Sequence, residues 1–242
     1  MPQDTEHEHT NRAFEQELKT LENTVAKMGG LVEAQFSDAI LALVRGNTKL
    51  STEVMAHDER IDEMEREIDQ MTLRILALRH PHADDLRAVI AALKVASTLE
   101  RMGDYAKNVA KRNLALAKAP AFSGAITTIS RMGTLVQEMV KNVLDAYLSR
   151  DTEMATDVWN RDEEVDQLHT SLFRELLTYM MEDHRNITAC THLLFIAKNL
   201  ERIGDHATFI AEQVHFLVEG EIPDQERPKD DSTSTTVVEI DA

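Results

Sequence analysis

Residues 27–36 read KMGGLVEAQF, and residues 131–140 read RMGTLVQEMV. Further along each half, LERMGD at 99–104 is answered by LERIGD at 200–205. Between those landmarks HDERID at 57–62 is answered by NRDEEVD at 160–166. The chain is therefore written twice. The offset is 104 at the early landmarks and 101 at the late ones, so the second copy is three residues shorter between them. A repeat of about a hundred residues is too long for a solenoid unit and suits two packed subdomains.

Composition narrows the class. Hydrophobic residues make up 43% and aromatics only 5%, while Ala, Leu, Glu and Met abound, which favours helix over strand. The 43 acids against 26 Lys and Arg give a net charge of −17. So acidic a chain would be repelled by nucleic acid and by anionic membrane, and suits metal cations or a basic protein partner. No stretch is long and apolar enough to span a membrane, and MPQDTEHEHT carries no apolar secretion core. Cys190 is the single cysteine, which fits a buried structural thiol in a reducing cytosol.

Periodicity predicts six helices. The first runs from about Thr10 to Arg45, with apolar residues three or four apart from Phe14 through Val25, Val32 and Phe36 to Leu43. The second runs from Thr48 to Arg79, where the following His80-Pro81 stops it. The third runs from Ala83 to about Ala117. The second half repeats the plan, with helices at about Ser123–Ser149, Asp151–Met181 and Asn186–Glu219, the last closed by Gly220. The expected fold is all-α, two tandem three-helix bundles related by an internal pseudo-two-fold. Residues 10–118 form the first bundle, 122–220 the second, and 221–242 an acidic, Ser/Thr-rich disordered tail.

Four acidic pairs share one spacing: Asp58 with Asp62, Glu100 with Asp104, Asp162 with Asp166, and Glu201 with Asp205. Each is i, i+4, so both carboxylates leave one helical face. With 43 acids in 242 residues about seven or eight such pairs arise by chance. Glu59/Glu63, Glu63/Glu67 and Glu65/Asp69 are accordingly read as a solvated face. The four pairs differ because they recur at matching places in both halves and continue the apolar ladders. Leu86, Val89, Leu93 and Ala96 step to Glu100, and Ile187, Cys190, Leu194 and Ala197 step to Glu201. Ionised carboxylates on a core seam cost about several kcal/mol each unless they are paired, protonated or metal-bound. The sequence leaves open a salt-bridge network or a hard oxygen site, for which Mg²⁺, Mn²⁺ or iron fit better than zinc. Gly103, Gly204, Ala96 and Ala197 leave room beside the acids.

Other motifs carry less. Glu212 and His215 form an ExxH, but Lys111 and Leu114 stand at the matching places, and a second ExxH, Glu6 and His9, lies at the N-terminus. His57, His169, His184, His192 and His206 are read as surface or core-edge residues, and the methionines as core. A multinuclear hydrolase or oxidase, and a plain helical scaffold without metal, stand beside a regulatory adaptor as readings of the residues.

The duplicated three-helix plan, the acidic pairs on the second and third helices of each half, LERMGD and LERIGD, MGG in the first helix and LLTYMMEDHR at 176–185 together resemble the PhoU family. The resemblance spans about residues 12–220 and implies a cytoplasmic, non-enzymatic regulator of phosphate homeostasis. Such a protein represses the phosphate-starvation response and modulates phosphate uptake, linking the ATPase subunit of an ABC phosphate importer to a sensor histidine kinase. The resemblance also implies a homodimer and metal clusters. Asp58, Asp62, Glu100 and Asp104 would ligate one cluster, and Asp162, Asp166, Glu201 and Asp205 the other.

Overall fold

The structure is a computed structural model that describes residues 3–117, 119 and 122–223, with side chains from residue 12 onward. Helices α1 (Gln3–Val44), α2 (Thr48–Arg79) and α3 (Ala83–Leu116) form the first half. Helices α4 (Ser123–Ser149), α5 (Thr152–Asn160), α6 (Asp162–Glu182) and α7 (Ile187–Glu219) form the second. No strand occurs among the described residues.

Local chemistry explains the ends. Gly46 takes a left-handed φ of 60°, which lets the chain turn out of α1. Asn47 then caps α2, its side-chain oxygen accepting from the Leu50 amide at 3.1 Å. Asp151 caps α5 in the same way, accepting from Met154 N at 3.0 Å, and Gly220 closes α7 at φ 84°. The three-residue deficit of the second copy falls at one joint. Arg79 and Ala83 are separated by His80-Pro81-His82, whereas their counterparts Asp183 and His184 are adjacent.

Two expected boundaries differ. The single helix expected over Asp151–Met181 is two helices, broken at Arg161. There the amide is shared between Asp157 O and Val158 O, both at 3.2 Å, so the turn tightens for one residue without proline or glycine. The last helix begins at Ile187 rather than Asn186, because His184–Asn186 form a 3₁₀ turn. The acidic stretch from 221 lies outside the described residues beyond 223, as do the side chains of Glu6 and His9.

The apolar ladders form the core. Leu21, Val25, Met28, Val32 and Phe36 of α1 are buried, as are Ile61 and Ile68 of α2 and Leu99 and Met102 of α3. Cys190 is fully buried, and burial raises its thiol pKa, as a structural cysteine requires. The halves join along two antiparallel seams. In the first, α3 packs on α7, and Tyr105 stacks on His206 with ring centroids 5.5 Å apart. These two residues are sequence counterparts, so the pseudo-two-fold passes between them. In the second, α1 packs on α4 through a reciprocal close approach. A Cβ on Gly29 would lie 2.8 Å from Leu144, and one on Gly133 would lie 3.1 Å from Ile40. Gly29 corresponds to Gly133 and Ile40 to Leu144. The repeated MG dipeptide is thus the fingerprint of a helix crossing, where each half lends a bare backbone to the other's aliphatic side chain.

Candidate metal centre

Each half gathers its four predicted acids between two helices. In the first, Asp58 sits on the apolar seam of α2 between Val54 and Ile61 and is 3% exposed. Its Oδ1 accepts from Gln35 Nε2 of α1 at 3.1 Å, and its Oδ2 accepts from Lys107 Nζ of α3. Lys107 also lies 3.5 Å from Asp104 Oδ1. Asp62 and Glu100 are half-buried, and Asp104 is exposed. Burial, and secondarily the Asp58 charge, holds the Asp62 carboxyl above its usual range. Glu100 is pushed up to about 7 by burial first, then by Asp104, Glu65, Asp62 and Asp58. Burial outweighs mutual repulsion in that shift, and the neighbouring acids of α2 and α3 add to it.

The second cluster is drier. Asp162, Asp166 and Glu201 are all at least 95% buried, and Asp205 is half-buried. Gly204 permits the approach of α6 to α7, since a Cβ there would meet Asp162 Oδ1 at 3.3 Å. In the first half Gly103 does the same for Ile61, at 3.2 Å. Glu201 Oε1 accepts from Lys198 Nζ at 2.7 Å, while its Oε2 is buried and meets no donor. Burial chiefly raises the Glu201 pKa, opposed by Lys198 and reinforced by Asp205 and Asp166.

Three residue sets escaped the sequence reading. Glu65 was assigned to a solvated face but is half-buried and belongs to the first cluster. Its carboxyl is raised mainly by burial, then by Asp69, with Asp62 adding to it, while a hydrogen bond with Ser97 lowers it. His169, its counterpart on α6, was assigned to the surface or core edge but is only 4% exposed. The counter-cations were missed as well. Of the arginines adjacent to the acids in sequence, Arg101 is exposed and its charge lowers the Glu65 pKa, while the Arg202 guanidinium lies 5.7 Å from the Tyr105 ring. Lys107 and Lys198 make direct ion pairs with these carboxylates. Helical spacing could have flagged both, since each lies three residues from an acid on its own helix.

The donor chemistry fits a hard cation. All eight predicted groups are carboxylates, two helices supply each set, and buried oxygens stand unsatisfied at Gln35 Oε1 and Glu201 Oε2. An ammonium already holds a cation's place beside Asp58 and Asp104. Among the described residues, however, no three His, Cys, Asp or Glu side chains stand arranged around one point to chelate an ion. The ExxH pair is not part of such a set: His215 Nε2 lies 3.1 Å from Thr156 Oγ1 and Nδ1 lies 3.1 Å from Glu219 Oε2.

A duplicated helical bundle with paired carboxylate clusters defines a tandem-domain protein of one recognisable class. Residues 25–112 and 129–214 each match the model of the PhoU domain. A phosphate-specific transport system accessory protein PhoU homolog from Caulobacter vibrioides (strain NA1000 / CB15N) is 52% identical over 227 residues, 94% of this chain and 99% of the relative. A protein of the same description from Rhizobium meliloti (strain 1021) is 47% identical, across 95% of this chain and 97% of its own. The crystal structure of PhoU from Pseudomonas aeruginosa superposes with a TM-score of 0.83 at 41% identity, covering 86% of this chain and 99% of that one. The chain belongs to the PhoU family.

Proposed function

We propose that this protein is an accessory regulator of phosphate transport that restrains phosphate uptake and represses the phosphate-starvation response. It acts in the cytoplasm as a homodimeric adaptor between the ATPase subunit of an ABC phosphate importer and a sensor histidine kinase. The observation that carries this reading is 52% identity over 227 residues, 94% of this chain, with a phosphate-specific transport system accessory protein PhoU homolog. Among the described residues no helix is long and apolar enough to cross a membrane, which suits a partner that docks on a transporter.

The reading extends to Asp58, Asp62, Glu100 and Asp104 as ligands of one hard metal centre, and to Asp162, Asp166, Glu201 and Asp205 as ligands of the other, with Mg²⁺, Mn²⁺ or iron preferred over zinc. Bound there, a cation would neutralise carboxylates that are costly to bury and would tie α2 to α3 and α6 to α7. The chain's own residues prepare for it. Gly103 and Gly204 bring the helices together, and Gln35 orients Asp58. The test couples elemental analysis of protein purified without chelator to a pull-down of the importer ATPase. The variant is Asp58→Ala/Asp62→Ala/Glu100→Ala/Asp104→Ala. It should lose about half the metal and weaken ATPase capture. Full metal content in the variant would reject the ligand assignment, and no capture by the wild type would reject the adaptor role.

A further inference from the structure

Each cluster carries a lysine, and the two lysines do not correspond. Lys107 sits three residues beyond Asp104, where the second half has Thr208. Lys198 sits three residues before Glu201, where the first half has Ser97. The duplication therefore did not supply a lysine to both clusters from one ancestral position. Each half meets the same excess of negative charge from a different helical turn.

Lys107 is placed where a bridging cation belongs. Its ammonium donates to Asp58 Oδ2 on α2 and lies 3.5 Å from Asp104 Oδ1 on its own helix, so it spans the two helices that a metal would tie. Its side chain is 27% exposed, which gives the charged end a short path to water. The neighbouring amide of Gln35 is held by two acceptors. Its Nε2 donates to Asp58 Oδ1 at 3.1 Å and to Val54 O at 3.3 Å. That orientation turns Gln35 Oε1 toward Gly103, where a Cβ would lie 3.1 Å away, and leaves the oxygen buried with no donor. A buried amide oxygen without a donor is costly, and an ammonium already shared by two carboxylates does not relieve it. A divalent ion, which accepts six or more oxygens, could use it.

We infer that Lys107 is the resident counter-cation of the first cluster, competing with a divalent ion for Asp58 and Asp104, so that ion uptake requires its ammonium to swing out into water. This rests on the metal reading proposed above. Occupancy of the first cluster then becomes an exchange of one cation for another. The apo protein keeps its fold because the lysine holds the place, and binding is weaker than four carboxylates alone would give.

The experiment uses full-length protein stripped with EDTA and then titrated with Mn²⁺, with free Mn²⁺ followed by its EPR signal and melting followed in parallel. Lys107→Met removes the competitor at similar length. Lys111→Met, one turn along on an exposed position, removes the same charge outside the cluster. Lys107→Met should bind Mn²⁺ at the first cluster at least tenfold more tightly than both wild type and Lys111→Met. It should melt lower in EDTA and recover more with Mn²⁺. Equal affinities for Lys107→Met and Lys111→Met would overturn the inference while leaving the metal reading intact. Should Lys107→Met not fold without metal, recovery by Mn²⁺ supports exchange, and failure to recover it while Asp58→Asn/Lys107→Met folds overturns it. If no form binds Mn²⁺, wild type included, the metal reading itself falls and this inference with it.

Discussion

The two clusters share a plan but not an environment. In the first, only Asp58 is fully buried, Asp62 and Glu100 are half in water, Asp104 is exposed, and Glu65 adds a fifth carboxylate. In the second, Asp162, Asp166 and Glu201 are enclosed, and His169 stands in place of Glu65. Gln35, which donates to Asp58, has Met139 as its counterpart, which can donate nothing. The wet cluster tolerates more negative charge because solvent screens it; the dry one holds fewer acids and surrounds them more closely. Duplication preserved the eight predicted carboxylates, while the means of neutralising them diverged.

Exchanging the residues that differ should break this asymmetry most severely. His169→Glu places a fifth carboxylate in the enclosed cluster and should cost about several kcal/mol in metal-free protein at neutral pH. The reciprocal Glu65→His removes a like charge from the wet cluster and should change stability by less than about 1 kcal/mol. Urea unfolding of the two variants reads the contrast, and equal costs would contradict the difference in solvation.

Removing each lysine sharpens the same comparison. Lys198→Met leaves Glu201 enclosed without its counter-charge and should cost about 3 kcal/mol. Lys107→Met should cost about 1–3 kcal/mol, because Asp58 keeps its hydrogen bond from Gln35. The reverse order of midpoints in EDTA would show that the hydrogen bond matters less than the charge.

The helix crossing provides a control in which the halves should behave alike. Gly29→Val and Gly133→Val each force side-chain atoms into the α1–α4 seam, against Leu144 and Ile40, and should each cost about 1–3 kcal/mol. Thermal melts that differ widely between the two would show that the seam is not symmetric in energy.

The smallest effect is pH-dependent. Glu100 holds its proton in the folded state up to about 7, above its ordinary value of 4.5. Between those values the native state binds more protons than the unfolded one, so this group makes stability fall as pH rises from about 4.5 to about 7. Metal-free protein should lose part of its denaturant midpoint over that window, and Glu100→Gln should flatten the change. A slope unchanged by Glu100→Gln would assign it to another group.

Much of this molecule is legible in its residues. The ladder through Val25, Val32 and Phe36 shows which face of α1 is buried, and the matched acidic pairs mark both clusters. The break at Arg161 was not legible, since neither proline nor glycine announces it and one shared amide makes it. Glu65 reads as a surface acid because its i, i+4 partner is the acid Asp69, whereas its burial and its hydrogen bond with Ser97 depend on the packing of α3. The MG repeat was visible as a landmark, but its meaning as a crossing depends on Leu144 and Ile40, which no local pattern links to it.

By itself the sequence determined most of the helices, their duplication and the matched i, i+4 carboxylate pairs, because helical period and repetition are properties of neighbours along the chain. Tertiary structure alone decided which cation reaches across to an acid on another helix and how much water reaches each cluster. Lys107 and Asp58 are 49 residues apart, and only the packing of α2 on α3 brings an ammonium to that carboxylate.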